Sequence, residues 1–95
     1  MSKLEANIKI HGKKMVGIAL SFDGSKSIDA EGQGGSIMLN YLWDFGDGKK
    51  SKSTIANHIF DKEGIYKISL TIRDIIAGIN KSVFDEIEIL PREEV

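Results

Sequence analysis

One eight-residue stretch, residues 41–48, constrains the fold of this chain more than any other. It reads Tyr-Leu-Trp-Asp-Phe-Gly-Asp-Gly and contains the only tryptophan of the protein, Trp43. Its aromatic residues occupy alternate positions, which is the period of a strand with one face in a hydrophobic core. The Gly-Asp-Gly end is typical of a tight turn, because glycine reaches positive φ and Asp accepts hydrogen bonds from N–H groups two residues on. We therefore predict a core strand that runs directly into an acidic turn.

The same alternating pattern recurs along the chain and predicts about seven short strands. The predicted strands include residues 6–10, 15–22, 36–43, 54–60, 65–73 and 82–89, and a long polar loop covers 23–35. In the second strand, the side chains predicted to point inward are Val16, Ile18, Leu20 and Phe22. Turn residues separate the strands and no helical period is visible. The sequence thus predicts an all-β, immunoglobulin-like antiparallel β-sandwich.

The length and charge of the chain exclude several classes of protein. At 95 residues it is one domain, predicted over residues 1–95 with a core at roughly 6–90. The net charge of −1, without a basic patch, argues against nucleic-acid binding. The absence of cysteine excludes disulfides and thiolate metal sites. No apolar run approaches the ~18–20 residues that a membrane span needs, so we predict no membrane insertion.

Several short motifs together resemble the PKD (polycystic kidney disease) domain family. They are Ser21-Phe22-Asp23, Ser27-x-Asp29-x-Glu31-Gly32, the run from Tyr41 to Gly48, His58-x-Phe60, and Gly64-x-Tyr66-x-Ile68-x-Leu70-x-Ile72-x-Asp74. The resemblance implies an immunoglobulin-like sandwich whose motif residues build the fold. Those residues are Tyr41, Trp43, Asp44, Phe45, Gly46, Asp47, Gly48, His58, Gly64 and Tyr66. Judged by their chemistry alone, Asp44 and Asp47 are either a catalytic or metal-binding pair or acceptors of turn N–H groups, and we favour the second interpretation.

The resemblance implies a non-catalytic module for interaction, adhesion or spacing in a surface, secreted or particle-associated protein. Its partner would be another protein or a neighbouring domain, and its location would be extracellular or at the cell surface. One alternative is a carbohydrate-binding accessory module of a secreted hydrolase. A second alternative is a stand-alone decoration protein on a viral shell, which would be virion-associated. No spacing of a nucleophile and a base can be assigned, so we predict no enzyme activity.

The resemblance also implies a calcium site, since some PKD domains bind this ion through acidic loop residues. The matching residues here are Asp29, Glu31 and Asp74. Calcium takes about six to eight hard oxygen ligands in flexible geometry, and alternate residues of a loop can aim oxygens at one point. Glu31 stands where Asp is usual, and Gln33-Gly34-Gly35 lengthens the loop. The alternative is a solvated acidic loop in which Asp74 is a turn residue.

An apolar loop and one aromatic side chain are the remaining candidates for contact. Ile75, Ile76 and Ile79 form either a contact surface or a plug at one end of the sandwich, since small proteins rarely expose such groups. A contact surface would bind a protein partner or a second copy of the chain. Among the aromatic residues, only Phe84 does not clearly have the inward phase. Without an aromatic platform, polysaccharide is predicted to be a less favourable ligand than protein.

Overall fold

The computed structural model describes residues 2–35 and 37–92, and all regular structure within them is β-strand. The strands are β1 (Lys9–His11), β2 (Leu20–Asp23), β3 (Leu39–Asp44), β4 (Lys50–Ser51), β5 (Ile55–His58), β6 (Gly64–Asp74) and β7 (Ile79–Ile89). Met1, Ser36 and residues 93–95 lie outside the described residues; Ser36 belongs to the predicted strand 36–43, and all of them belong to the predicted domain 1–95. In the part of the chain that is described, no helix has the length and apolarity of a membrane span.

The seven strands form two antiparallel sheets, with the orders β1-β2-β5 and β4-β3-β6-β7. The sheets pack face to face around an aromatic cluster centred on Phe22 of β2. Its ring centroid lies 5.8 Å from that of Trp43, 5.0 Å from Phe45 and 6.4 Å from Phe60. All four rings are buried, and such pairs stabilise a core by about 0.5–1.5 kcal/mol beyond their buried area. The prediction of an immunoglobulin-like β-sandwich is therefore confirmed.

The longest strands, β6 and β7, define two opposite ends of the sandwich. They pair over their full length, from Gly64 opposite Ile89 to Asp74 opposite Ile79. We name these ends the Gly64 pole and the Asp74 pole. Eleven residues each give these strands a length of roughly 35 Å, and the long extent of the molecule is 52 Å.

The first and last described segments lie at opposite poles. The N–H of Lys3 donates to the carbonyl of Ala30, whose own N–H donates to Asp74, so the N-terminal segment lies at the Asp74 pole. Leu90 pairs instead with the segment around Lys14 at the Gly64 pole, through a hydrogen bond of 3.0 Å from its N–H to the Lys14 carbonyl. The chain therefore traverses the sandwich from one pole to the other.

The predicted strand 15–22 is wrong in its first half. Only Leu20–Asp23 is a strand, and Ile18, predicted to point inward, is 38% exposed. Gly17 has a φ of 80°, which interrupts the alternation of side chains, and the Val16 N–H donates to Leu90 rather than to a sheet neighbour. Met15 is buried in its place and forms a parallel bridge with Leu90.

Other boundaries also differ from the prediction: the first strand is Lys9–His11 rather than 6–10, and β5 is Ile55–His58 rather than 54–60. β7 begins at Ile79 rather than at residue 82, and the polar connection after residue 48 contains the short strand β4. β4 covers only Trp43 and Asp44 of β3. The chain then crosses to the other sheet, and the Gly24 N–H donates to the Thr54 carbonyl at 2.9 Å. Among residues 2–35 and 37–92, no strand consequently pairs with the upstream half of β3 on its β4 side.

Candidate functional site

The acidic turn after β3 uses both of its carboxylates to hold the backbone. Asp44 Oδ1 accepts a hydrogen bond from the Gly46 N–H at 3.0 Å, and Asp47 Oδ1 accepts one from the Lys49 N–H at 3.0 Å. Gly46 has a φ of 77°, and a Cβ at this position would lie 2.7 Å from the carbonyl oxygen of Lys67 on β6. The turn therefore requires glycine both for its conformation and for its close packing against β6.

The second oxygen of Asp47 connects this turn to β5. It lies 2.6 Å from Nε2 of His58, a pairing across eleven residues that the sequence did not reveal. The imidazole stacks on Phe45, with ring centroids 4.1 Å apart, and meets Phe60 edge-on at 4.7 Å. Partial burial raises the pKa of Asp47, but the hydrogen bonds from His58 and Lys49 lower it by more than burial raises it. The pKa of Asp47 therefore lies below its ordinary value. At the edge of the aromatic cluster, the Asp47 carboxylate therefore accepts hydrogen bonds from the Lys49 N–H and from His58, and these bonds stabilise the fold.

A tyrosine corner closes the loop that leads into β6. The Tyr66 hydroxyl donates a hydrogen bond to the carbonyl of Lys62 at 2.6 Å, and its ring packs on Phe60 at 4.4 Å. Gly64, two residues earlier, has a φ of 146°. Such a corner fixes where the long strand starts relative to the preceding turn, as in other immunoglobulin-like folds.

The Asp74 pole brings together the three residues predicted for calcium. Asp29, Glu31 and Asp74 line one cavity of about 330 Å³. Asp74 is buried, and its two oxygens accept three backbone hydrogen bonds, from Ile76 and Ala77 at 2.9 Å each and from Ala30 at 3.1 Å. These bonds lower the pKa of Asp74, led by the one from Ala77. Asp74 therefore holds both its own turn and the neighbouring loop.

Asp29 has a similar role inside the loop. Its Oδ1 accepts hydrogen bonds from the N–H groups of Glu31 at 3.0 Å and Gln33 at 2.8 Å. Within residues 2–35 and 37–92, no group of three or more acidic, His or Cys side chains is arranged to hold a metal ion. Both oxygens of Asp74 and Oδ1 of Asp29 already accept backbone N–H groups, so a calcium ion in this cavity would share these oxygens with the backbone. Calcium binding stays a prediction.

The apolar loop beside this pole is exposed. Ile75 is 49% and Ile76 is 75% accessible to solvent, whereas Ile79 is partly buried against the core. Ile75 and Ile76 thus do not plug the end of the sandwich. The other ambiguous side chain, Phe84 on β7, is 58% exposed, and Nζ of Lys67 lies 4.7 Å from its ring centroid.

The two-sheet order, the tyrosine corner and the acidic turn define an immunoglobulin-like β-sandwich domain. The sequence model of the PKD domain matches residues 5–89. The chain belongs to the PKD domain family, which confirms the resemblance of its motifs.

Known proteins support the same assignment. The chain is 40% identical over 76 residues to Collagenase ColA of Clostridium perfringens (strain 13 / Type A), an alignment that covers 80% of this chain but only 6% of the collagenase. The fold resembles the PKD1 domain of Vibrio anguillarum Epp, with a TM-score of 0.77, 22% identity, and coverage of 97% of this chain and 100% of that one. A structure of carbohydrate-binding modules from the β-sandwich super family contains a chain with a TM-score of 0.78 and 27% identity, covering 93% of this chain and 34% of the other.

Proposed function

We propose that this chain is a non-catalytic accessory module of a larger secreted protein, in which it spaces neighbouring domains and offers a surface for contact. The observation that carries the proposal is the path of the chain through the sandwich. Lys3 lies at the Asp74 pole and Leu90 at the Gly64 pole, with one continuous core between them. Segments attached at the two ends would be held apart by the length of a rigid β-sandwich.

The relatives support the same role. The chain spans 6% of Collagenase ColA and 8% of the microbial collagenase of Vibrio alginolyticus, so the region like this chain is a small part of each. If this chain has the same role as the matching regions of these collagenases, it is part of a secreted protein and lies outside the cell. The setting on a viral shell gains no support from these relatives and stays an alternative prediction.

The spacing role can be tested with one pair of labels, because the chain has no native cysteine. Spin labels at Ser2→Cys and Arg92→Cys should give one narrow distance, longer than the 19 Å width and within the 52 Å long extent of the molecule. A control pair at Ser2→Cys and Ile76→Cys lies at one pole and should give a short distance. A broad distribution for the first pair, or a distance as short as the control, would contradict the spacing role.

The absence of catalysis can be tested with the same protein. Purified chain incubated with gelatin or casein should release no peptides above the background of buffer alone. Cleavage that copurifies with the chain, and that disappears in Asp47→Asn, would contradict the assignment as an accessory module.

A protein contact at the Asp74 pole is part of the proposal, with Ile75, Ile76 and Ile79 as its centre. Ile75 and Ile76 are exposed next to each other, and neighbouring exposed apolar side chains mark a contact site more readily than single ones do. If the partner is a second copy of the chain, sedimentation velocity should show association that Ile76→Ser abolishes. Ile65→Ser is the matched control, since Ile65 is 66% exposed on a different part of the surface. Equal effects of the two variants would remove this loop as the contact.

A carbohydrate ligand is the second candidate function, and one side chain favours it. Phe84 exposes its ring on the outer face of the four-stranded sheet, where an apolar sugar face could stack. The likeness to a structure of carbohydrate-binding modules adds to this. The chain should then sediment with insoluble cellulose or chitin, and Phe84→Ala but not Ile65→Ala should abolish retention. Retention on neither polysaccharide would remove this candidate.

Calcium at Asp29, Glu31 and Asp74 is carried forward as a proposal with its own test. Binding to the native state would raise the melting temperature in millimolar calcium, and chelator would reverse the rise. Glu31→Gln is an informative variant, because it removes an exposed carboxylate and leaves the hydrogen bonds of Asp29 and Asp74 in place. A melting temperature indifferent to calcium and to chelator would end the proposal.

A further inference from the structure

The upstream half of β3 is an open sheet edge in a strand that lies inside the order of its sheet, between β4 and β6. β6 pairs with all six residues of β3, but β4 pairs only with Trp43 and Asp44 on the other side. After Ser51 the chain leaves this sheet, and the carbonyl of Ser53 accepts the indole N–H of Trp43 at 2.8 Å. Among residues 2–35 and 37–92, no strand therefore continues from β4 beside residues 39–42.

The direction of the peptide groups in β3 follows from their hydrogen bonds. The carbonyl of Met38 accepts from Ile75, which leads out of β6, whereas the Phe45 N–H donates to Lys49, which precedes β4. Peptide groups alternate along a strand, so even-numbered residues face β6 and odd-numbered residues face β4. Tyr41 consequently directs its N–H and C=O to the open edge. No backbone partner for it is found among residues 2–35 and 37–92.

Two adjoining cavities flank this edge, one for each face of an added strand. The larger, of about 520 Å³, lies beside Leu42, Lys52 and Arg73 toward the outer face of the sheet. The smaller, of about 380 Å³, lies beside Ile37, Tyr41 and Thr54. Because successive side chains of a strand point to opposite faces, a peptide at this edge would place its side chains alternately in the two cavities.

The two cavities differ in charge, and this determines the occupant. The larger one has two basic side chains, Lys52 and Arg73, and no acidic side chain among the described residues that line it. Arg73 donates to the neutral oxygen of Asn80, so its charge is not compensated there. The smaller one is lined by uncharged residues, including Ile37, which is 88% exposed. An acidic side chain therefore suits one face and an apolar side chain suits the other.

We propose that the open edge of β3 binds an extended segment of a partner protein, with alternating acidic and apolar side chains, as an added β-strand. This inference rests on the proposed accessory role and names the kind of partner that such a module would hold. In strand addition, main-chain hydrogen bonds provide the affinity and the side-chain cavities provide the specificity. The Tyr41 peptide group supplies the main-chain donor and acceptor, and Lys52 and Arg73 supply the selection for acid.

The first experiment is a titration of the 15N-labelled chain with capped synthetic peptides, followed by amide chemical shifts and hydrogen exchange. The probe is the hexapeptide Thr-Val-Glu-Val-Glu-Thr. It should bind with one-to-one stoichiometry and slow the exchange of the Tyr41 amide. Replacing both Glu by Lys in the peptide should weaken binding by roughly tenfold, because charged hydrogen bonds are replaced by like-charge contacts.

N-methylated peptides separate strand addition from mere charge attraction. Methyl groups on both Val nitrogens block one edge of the extended peptide, and methyl groups on both Glu nitrogens block the other. Only one of these two peptides should lose binding, since only one edge meets β3. Loss of binding by neither peptide would contradict strand addition.

Variants of the protein test the same edge from the other side. Tyr41→Pro removes the N–H that faces the open edge but leaves the pairing of Asn40 and Leu42 with β6 intact, and it should abolish peptide binding. Tyr41→Val removes the ring, keeps the N–H, and should retain binding. If Tyr41→Pro fails to fold, Lys52→Glu still tests the proposal, because with only Arg73 left as a basic side chain in the cavity it should abolish most of the preference for the Glu peptide over the Lys peptide.

Three further results would overturn the proposal. They are no binding of either peptide, binding that leaves Tyr41 exchange unchanged, and protection of Tyr41 by a second copy of the chain at high protein concentration without peptide. None of them would affect the distance between labels at positions 2 and 92, so failure of this inference is distinguishable from failure of the spacing role.

Discussion

Both halves of β3 pair with β6 on one side, but on the other side only the downstream half, Trp43 and Asp44, pairs with a strand, β4. Trp43 directs its peptide group to the β4 side, where Ser51 pairs with it, and its ring is fully buried. Tyr41, two residues upstream, directs its peptide group to the same side, where no strand of the described residues pairs with it. Its ring is only partly buried, and burial raises the pKa of its hydroxyl. One strand therefore has a paired backbone on both sides at its end and a free backbone edge at its start, although Leu39 at its start is buried in the core.

This difference shows that the aromatic and acidic motif residues of the chain lie in a different place from the backbone edge that is accessible to a partner. The aromatic and acidic residues of the downstream half are engaged by the core, by His58 and by turn N–H groups. The upstream half has fewer conspicuous residues, but its backbone and two cavities are accessible. Substitutions of side chains that point into the core should therefore change stability, and changes to the backbone of the upstream edge should change binding.

The largest effect is expected for Trp43→Ala. Removing a fully buried indole should lower the free energy of unfolding by about 3–5 kcal/mol, close to the total stability of so small a domain. Leu42→Ala is the control from the same strand, and since Leu42 is 38% exposed it should cost about 1 kcal/mol or less. Urea denaturation followed by circular dichroism measures both. Equal costs would contradict the alternation of buried and exposed side chains along β3.

A second comparison lies within the turn itself. Gly46→Ala should cost about 2–4 kcal/mol, because a Cβ meets the Lys67 carbonyl in addition to the strain of positive φ. Gly48→Ala has a φ of 91° but no atom within 4 Å of the new Cβ, so it should cost only about 1–2 kcal/mol. Thermal unfolding of the two variants gives the difference. Similar losses would show that the turn is not packed against β6 in solution.

How far the sequence predicts this structure depends on the range of the interaction. The core phase of Trp43 and the turn after it are local patterns, and they were predictable from alternation and glycine spacing. The binding of Ala30 by Asp74 joins residues 44 positions apart, and the open edge beside Tyr41 exists only because the chain changes sheets after Ser51. Such features are set by the three-dimensional path of the chain, which residue patterns do not specify. Even the local prediction was wrong near Gly17, where positive φ breaks the alternation.

A smaller effect is expected from pH through Asp47. Its pKa is lowered in the folded state from the ordinary value of 3.8. Its stabilisation is therefore complete above that value and is lost as the pH falls through the lower folded pKa. For such a partly exposed pair the loss is about 0.5–1 kcal/mol. When the pH is lowered from 6 to 2, the free energy of unfolding should decrease in both proteins. The decrease should be smaller in Asp47→Asn than in the wild type, by about 0.5–1 kcal/mol.

The control for this pH effect is Asp85→Asn, because the structure shows no hydrogen bond to the Asp85 carboxylate among the described residues. Its pH profile should follow that of the wild type. If Asp47→Asn also follows the wild-type profile down to pH 2, the link between the turn and β5 does not contribute in solution.

Amide hydrogen exchange along β3 in the free protein tests the central claim most directly. We expect the Trp43 amide, which is covered by β4, and the amides of Asn40 and Leu42, which face β6, to be protected. The Tyr41 amide should exchange at least about tenfold faster than all three, because no strand covers it. Protection of Tyr41 equal to that of Trp43 in dilute protein would contradict the open edge and the account built on it.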